Sequence, residues 1–598
     1  MKPVAIRRRI APGAPVSWPA ELHPLLVRVY SARGLLPADV AKARLADLAA
    51  PARLGGIERA CALLGDAIER NLRICIVGDF DADGATGTAV AVRGLRLLGA
   101  RDVGYRVPNR FRDGYGLSVG LVESLAAAPP DLIVTVDNGV ASHAGVAAAK
   151  ALGIRVIITD HHLPGATLPA ADAMVNPNVL AFDRCAHGHS ECAACTHDAH
   201  MNEAFESKAL AGVGVMFYLL LALRAWRRSL GAYASRDAEP DLSVLLDLVA
   251  LGTVADLVPL DPNNRILIDA GLRRIRAGRA CAGIKALYRA SSREPERAVA
   301  ADLGFALGPR INAAGRLDDM SLGIECLLSD EPARADALAV QLSAINAQRQ
   351  ELQSAMVEQG EAMVERFLER HRDEDLPHGI VLYEPDWHPG VVGLVASKLK
   401  ERLHRPVVAC APAEAGADDL RGSARSIAGF HLRDALAEVD VACPGLITRF
   451  GGHAMAAGLT LSLTNLARFS QEFDAVARRR LDAEALEQFV CSDGELAPHE
   501  FTQEAAHALR YAGPWGQAFA EPAFDNVFKV DSWRAIGERH LKLKLRLADR
   551  AEPLDAILFN ALDCMPPPPQ LRAVFQLDLN HWNGEERLQL LLRQIEPA

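Results

Sequence analysis

Between about Asn71 and Pro177, short β-rich apolar runs alternate with helical ones: RICIVGD, TGTAVAVRGLRLLGA, DLIVTVD, ASHAGVAAAKALG, RVIITD and AMVNP. Strands that are apolar along their whole length and separated by helices predict a parallel sheet covered on both faces. From about Leu242 to Ala290 the pattern is helical. From Pro332 to Asp375, Leu338, Leu342, Ile345, Leu352, Met356, Met363 and Phe367 recur at helical spacings. They predict one long amphipathic helix, with Gly360 as its single interior glycine, serving as a rigid connector. A second α/β unit follows to about residue 480, with strands in GIVLYE and RPVVACAP, a helix in VVGLVASKLKERL, and its glycine clusters in loops. Thereafter the period changes to two, in LKLKLRLA, AILFN, AVFQLDL and LQLLLRQI, separated by turns such as HWNGEE. This predicts a small closed or partly closed β-barrel, with Pro566–Pro569 as a stiff linker within it.

These periods divide the chain into an N-terminal extension (1–45), an α/β domain (46–290), a helical extension with the connector (291–375), a smaller α/β domain (376–480) and a C-terminal barrel (485–598). A chain of 598 residues exceeds what one hydrophobic core serves, so several domains are required. No stretch offers about 18 uninterrupted apolar residues, since VGVMFYLLLALRAW breaks at Arg224 and Arg227. MKPVAIRRRI is followed by APGAPVSWPAELHP and not by an apolar signal region. Most of the 11 cysteines sit singly in apolar runs, as Cys75 and Cys410 do, and read as reduced core thiols. The expectation is a cytoplasmic protein with no membrane partner. The net charge of -10 argues weakly against a nucleic-acid binder. It does not decide the matter, because carboxylates gathered to hold metal make the sum acidic while a groove elsewhere stays basic.

Three of the predicted strands end in acids: Asp79, Asp81 and Asp83 in VGDFDADG, Asp137 in VTVDNGV, and Asp160 with His161 and His162 in IITDHHLPG. In an open parallel sheet the ligand crevice lies outside the carboxyl ends of the strands, so these groups are expected to converge. Without a counter-charge they would repel and raise one another's pKa. Oxygen ligands with one or two imidazoles suit Mn²⁺ or Mg²⁺, and two such ions roughly 3.5–4 Å apart clamp both sides of an in-line attack on phosphorus. A calcium loop is the competing reading of DxDxDG, but an apolar strand precedes it and the distal glutamate is missing.

The motifs GDFDADGATGTA, PNRFRDGYGLS, TVDNGV, TDHHLPG, SKALAGVGV, LGTVADLVPL, LGPRINAAGRLDD, WHPGVVGLVASKL, GSARS and GGHAMAAG occur in this order. Together they resemble the DHH phosphoesterases, whose namesake triplet is Asp160, His161 and His162, and within them the RecJ-type exonucleases. The resemblance covers about residues 70 to 598. It implies a parallel-sheet DHH domain and a smaller α/β DHHA1 domain joined by the long helix, with a C-terminal OB-type barrel. It implies a metal-dependent exonuclease that degrades single-stranded DNA from its 5′ end to 5′-mononucleotides, in DNA repair and recombination. By the same resemblance Asp81, Asp83, Asp137, His161 and Asp256, the last from LGTVADLVPL, are metal ligands. Many DHH enzymes carry a histidine where this chain has Val77, and Asp79 takes part of its role. Asp160 and His162 orient His161 or touch the scissile phosphate. A shorter DHH phosphodiesterase would lack the connector and barrel, and a non-catalytic replication scaffold would have lost the carboxylates.

The resemblance places Arg110, Ser423 and Arg425 around the terminal 5′ phosphate, where bidentate arginine and hydroxyl donors suit the task. Arg310 is expected to line the strand's path, and His453, in FGGHAMAAG, to contact substrate. In the barrel, Trp515, Trp533 and Trp582 are candidate stacking platforms, and Arg534, Lys542, Lys544 and Arg546 candidate backbone contacts. The partner implied is single-stranded DNA with a free 5′ end, acted on by a monomer alongside a single-strand-binding protein and a helicase. One stretch departs from the family: CAHGHSECAACTHDAH holds Cys185, His187, His189, Cys192, Cys195, His197 and His200. Its CxxC pair suits a structural Zn²⁺, and a surface insertion is the alternative.

Overall fold

Strands Val103–Arg106, Ile74–Gly78, Leu132–Val136, Arg155–Thr159 and Ala173–Val175 lie in that order as a five-stranded parallel sheet. Both faces are covered, as uniformly apolar strands require. Ile74, Ile76, Leu132, Val134, Val136 and Ile157 pack into one core, while Cys75, Val77, Ile133, Val156 and Ile158 pack into another on the opposite face. Four strand ends share one level, because Gly78 pairs with Val136, Val136 with Thr159 and Thr159 with Val175. Asp79, Asp137, Asp160 and Asn176 therefore leave the sheet side by side. The strand order reverses between Ile74–Gly78 and Leu132–Val136, the switch point at which such sheets open a crevice.

The computed structural model describes residues 5–9, 17–40, 44–109, 115–165, 167–179, 205–370, 377–414, 416–452, 454–537, 540–559, 561, 565–582 and 584–598. The chain forms two units, Arg9–Ile345 with Asp493–Ala598, and Met1–Arg8 with Asn346–Ser492. Among the described residues no helix is long and apolar enough to cross a membrane.

In the first unit the C-terminal strands close a barrel in the order Phe524–Ile536, His540–Arg546, Leu554–Leu558, Glu585–Pro597 and Gln570–Trp582. Its interior is filled by the inward alternation that the period of two announces, with Phe524, Phe528, Phe575, Leu541, Leu543 and Leu545 all buried. That core is continuous with the one beneath the parallel sheet. Leu260 N donates to Gln517 O at 2.8 Å, and the Arg265 guanidinium lies 4.2 Å from the Phe519 ring centroid. The N-terminal extension joins the same core: the Pro24–Ala32 helix buries Leu25, Leu26, Val29 and Tyr30, and Arg33 grips buried Asp493 at 2.8 Å.

The connector is one helix, Pro332–Arg370. Gly360 faces Leu399, whose Cδ1 would stand 3.0 Å from an added Cβ. The second unit is a mixed sheet in the order Arg449–Gly452, Ala456–Ser462, Asp419–Arg425, Val407–Pro412 and Ile380–Tyr383. Here the expectation of glycine clusters in loops is overturned. Gly422 sits inside the Asp419–Arg425 strand, and Gly451 and Gly452 inside Arg449–Gly452. At Gly422 a Cβ would meet Leu459 Cδ2 at 2.8 Å and Cys410 Sγ at 3.1 Å. The glycine marks side chains packing down onto a strand, a use that a turn-based reading overlooks.

Candidate metal centre

The turn after Ile74–Gly78 carries three acids in one short run, and each has a distinct job. Asp81 caps the Ala82–Leu97 helix, its Oδ1 accepting from Gly84 N at 3.0 Å. Gly84 is obligatory there, since a Cβ would come 2.5 Å from Asp79 O. Asp83, fully buried, accepts from Gly212 N (2.6 Å) and Val213 N (2.9 Å) at the start of the Gly212–Ser229 helix. Gly212 in turn lets that helix approach Asp137, whose Cβ would lie 2.4 Å from an added side chain. Asp137 itself is held at φ 63, a left-handed conformation that a residue without special constraint avoids. Asp256 caps the carboxyl end of the Leu246–Ala255 helix.

These elements bring every expected ligand together. Potential ligand atoms lie within 4.8 Å of one another in three overlapping groups: Asp79, Asp81 and Asp137; Asp83, His161 and Asp256; and Asp137, His161 and His162. His161 Nε2 is 3.0 Å from Asp137 Oδ1 and 3.5 Å from Asp256 Oδ2. Both of those oxygens are buried and make no hydrogen bond. A protein does not bury unsatisfied carboxylate oxygens among like charges without compensation. Burial, followed by the neighbouring charges of Asp83 and Asp81, holds the Asp137 and Asp256 carboxyls well above the ordinary range. Burial and the Asp81 charge push Asp83 up to about 7, against the pull of the helix amides. A divalent cation removes this conflict, and the donor set of carboxylates with imidazole fits a hard or borderline ion.

Asp160 plays the orienting part. Its Oδ1 accepts from His161 N (2.7 Å), His162 N (3.0 Å) and His162 Nδ1 (2.7 Å), and its Oδ2 accepts from Val140 N (2.9 Å). Burial alone would raise its pKa, but the His162 hydrogen bond and charge overcome this and bring it down to about 2. For His162 burial alone would lower the value, and the Asp160 bond and charge lift it to about 9.

Sequence reasoning missed the carboxamides and one phenol. Asn138 Nδ2 donates to Val77 O and Val136 O, both at 2.9 Å, stapling two strand ends. Asn312 Oδ1 accepts from Ala82 N at 2.7 Å and fixes the acidic turn, while Asn176 and Asn178 hold the carbonyls of His162 and His161 at 2.9 and 2.6 Å. Tyr115 donates to Asp137 O at 3.1 Å, and its hydroxyl is 3.4 Å from His162 Nε2. All lie in or next to the motifs already singled out, where asparagine beside a ligand was the available signal.

A family model described as the DHH family, N-terminal domain, matches residues 73–253; the DHHA1 domain matches 377–479, and the RecJ OB domain 492–594. The single-stranded-DNA-specific exonuclease RecJ of Dickeya dadantii (strain 3937) is 51% identical over 596 residues, 99% of this chain and 99% of that protein. The chain belongs to the RecJ family. The RecJ of Escherichia coli (strain K12) is 49% identical over 583 residues, 97% of each chain. A crystal structure of RecJ in complex with Mn²⁺ from Thermus thermophilus superimposes with a TM-score of 0.75 at 31% identity, covering 99% of this chain and 80% of that one. The Mg²⁺ complex from the same source gives 0.69 at 30%, covering 99% and 79%. A RecJ-family chain with this cage is a metal-dependent enzyme of the DHH type, and a divalent cation is the cofactor that its donors fit.

The other expected RecJ site residues are placed unevenly. Arg110, His453, the side chain of Trp582 and the Cys/His stretch from Cys185 to His200 lie outside the described residues. In the second unit Ser423 and Arg425 share the Asp419–Arg425 strand, with Arg425 Nη1 donating to Ser423 Oγ at 3.0 Å and to Ala424 O at 2.8 Å. Gly393, in the first turn of the Val392–Leu403 helix, lets that helix pack closely against them: a Cβ there would be 2.9 Å from both Arg425 Nη2 and Ser423 Oγ. Arg310 engages Ser343 Oγ (2.9 Å), Ala306 O (2.6 Å) and Ala290 O (3.4 Å), so its guanidinium ties helices together. In the barrel Trp515 stacks on Phe519 with centroids 4.8 Å apart and bonds Leu509 O, which makes it a packing residue, whereas Trp533 is exposed. Lys544 pairs with Asp555 at 2.9 Å and Arg546 with Asp531 at 2.8 Å, while Arg534 and Lys542 face each other across adjacent strands.

Proposed function

We propose that this chain is a single-stranded-DNA-specific exonuclease that hydrolyses phosphodiesters from the 5′ end and releases 5′-mononucleotides in DNA repair and recombination. The observation that carries the reading is the buried acidic cage at the switch point of the parallel sheet, in a chain matched end to end by relatives named as such exonucleases. Asp79, Asp81, Asp83, Asp137, His161 and Asp256 are the residues that hold two ions, Mn²⁺ or Mg²⁺. Bound there, the cations supply an activated water and stabilise charge on the phosphorus centre.

The chain's own residues do the rest. Asp160 holds His162 protonated and fixes its orientation, because Nδ1 donates to it and Nε2 is left to face Tyr115. Tyr115 keeps its proton, since burial of the hydroxyl and the charges of Asp79 and Asp137 hold its pKa well above the ordinary value. That proton is committed to the Asp137 carbonyl, so the hydroxyl is left to accept from His162 Nε2, and protonated His162 is the proton-bearing group at this edge of the cage. The 5′ direction comes from an anion site formed by Ser423, Arg425 and the amino end of the Val392–Leu403 helix, a reading supported by the close approach of that helix to both side chains at Gly393. Arg110, His453 and Arg310 complete the substrate contacts. Trp533, Arg534 and Lys542 offer a stacking and phosphate surface on the barrel. A structural Zn²⁺ on Cys185, Cys192, Cys195 and their neighbouring histidines, a monomeric state, cytoplasmic location, and cooperation with a single-strand-binding protein and a helicase complete the reading.

The deciding experiment incubates the purified chain and Mn²⁺ or Mg²⁺ with single strands labelled internally and at the 5′ end. The expected result is early release of the 5′ label as a mononucleotide with duplex left intact. Release from the 3′ end first, or internal cuts, would overturn the assignment.

A further inference from the structure

Large apolar side chains are exposed on elements that carry cage residues or pack against them, and their positions are not explained by packing. Phe305 is 84% exposed and Leu257 69%, and Leu163 and Tyr115 are also exposed. Leu163 follows His162 directly, Leu257 follows Asp256, and Tyr115 bonds the Asp137 carbonyl. Phe305 lies in the π-helical turn Leu303–Leu307, which rests on the helix that delivers Asp256: a Cβ on Gly304 would be 3.2 Å from Val254 Cγ1, and one on Gly308 3.1 Å from Ala255 Cβ. Two backbone irregularities coincide here. The helix widens to a π-turn, a feature concentrated at functional sites, and Leu257 adopts φ 61, which a branched residue avoids. Neither irregularity buries the side chain that it displays.

We propose that Phe305 is a base-stacking residue that holds the nucleotide next to the scissile phosphate, and that it contributes to single-strand selectivity. This rests on the exonuclease reading above. The cage fixes the phosphate, so the attached sugar and base must lie within a nucleotide's reach of it, against the rim of the cage. A nucleobase presents an apolar π-face that an exposed phenyl ring accepts whatever the base identity. In a duplex those faces are covered by neighbouring pairs, so only an unstacked strand gains the contact. An acidic cage filled with cations also favours an anionic strand over an apolar protein surface as the occupant of this rim.

The test compares Phe305→Ala and Phe305→Trp with the unmodified chain on 5′-phosphorylated single strands carrying either normal or abasic terminal nucleotides. With the native ring, normal strands are expected to react about tenfold faster in kcat/KM than abasic ones, given the usual strength of base stacking. Phe305→Ala brings that ratio close to one, and Phe305→Trp restores it. A side chain this exposed can be removed without unfolding the chain, which a thermal melt checks. An unchanged ratio in Phe305→Ala, or equal losses on both substrates, overturns the proposal. Binding of the same strands in Ca²⁺ separates the two readings: a base-dependent affinity that disappears in Phe305→Ala supports the stacking role even if no digestion occurs, and such a failure of digestion would count against the exonuclease reading alone.

Discussion

The two α/β sheets both display charge, but they balance it in opposite ways. At the ends of the parallel sheet, Asp79 and Asp81 gather with Asp137, and Asp83, Asp137 and Asp256 with His161, and Asp137 Oδ1 and Asp256 Oδ2 are buried without hydrogen bonds. On the mixed sheet, Arg425 already donates to Ser423 Oγ and Ala424 O, with Gly393 packed closely against both side chains. The first arrangement is electrostatically incomplete and becomes stable only with cations, which is what a reaction centre needs. The second is complete without a ligand and can add an anion contact at little reorganisation, which suits selection of substrate. Disturbing the first should therefore remove chemistry, and disturbing the second should change preference.

The largest effect is expected at the cage. Asp81→Ala, Asp137→Ala and His161→Ala each reduce turnover by more than about a thousandfold while DNA binding and a cooperative melting transition persist; in the two aspartate variants the loss of one acid also relieves repulsion in the metal-free fold. Near-normal turnover at saturating Mn²⁺ in any of the three would show that residue to be dispensable. The next largest is at the anion pocket. Arg425→Ala slows digestion of 5′-phosphorylated strands by at least about tenfold, the cost of a charge-assisted contact, and slows 5′-hydroxyl strands much less. Equal losses on both would move Arg425 to the scissile phosphate or to the fold.

Smaller effects sharpen the same contrast on the barrel. Trp533→Ala is expected to raise KM for long single strands by about fivefold, the lower end of one stacking contact, with the melt unchanged. Trp515→Ala should lower stability instead, because that ring is packed on Phe519 and bonded to Leu509 O. Kinetics and a denaturant titration on the two variants distinguish platform from core.

The smallest signal is a pH dependence of metal-induced stabilisation. Asp83 is raised to about 7, and Asp137 and Asp256 are held well above the ordinary carboxylate range by burial and like charges. Protonation of such groups contributes stability that is complete below the ordinary carboxylate range, near pH 4, and is lost as pH rises through about 7. The metal-free chain should therefore lose stability across that interval, and the gain in Tm on adding Mn²⁺ should grow with pH as cations replace protons. Asp160, lowered to about 2, works the other way only in strong acid, where its stabilisation is lost as pH falls. Scanning fluorimetry in Mn²⁺ and in chelator between about pH 5 and 8 measures the difference, and a constant increment would contradict the assigned cage.

Much of this was legible from residue order. Continuous apolar runs ending in Asp79, Asp137 and Asp160 announced both the parallel sheet and its reactive edge, because strand ends in such sheets converge on one crevice. The long connector and the barrel followed from periods of 3.6 and two, which depend only on local geometry. The glycines of GSARS and FGG were misplaced into loops, since nothing local distinguishes a turn glycine from one that lets Leu459 and Cys410 close over a strand.

What the sequence alone determined was therefore the set of elements and the chemistry types, both written in short-range patterns and in the identity of the acids. Tertiary structure decided which acid does what. Asp83 answers to amides of Gly212 and Val213, more than a hundred residues away, and Asp256 reaches the cage from a separate helix. It also decided that Asp160 serves the histidines, that Trp515 is core while Trp533 is surface, and that Phe305 stands exposed on a π-turn packed against the helix that delivers Asp256. These distinctions arise from distances between residues remote in the chain and from the water each group loses on burial, neither of which a linear pattern encodes.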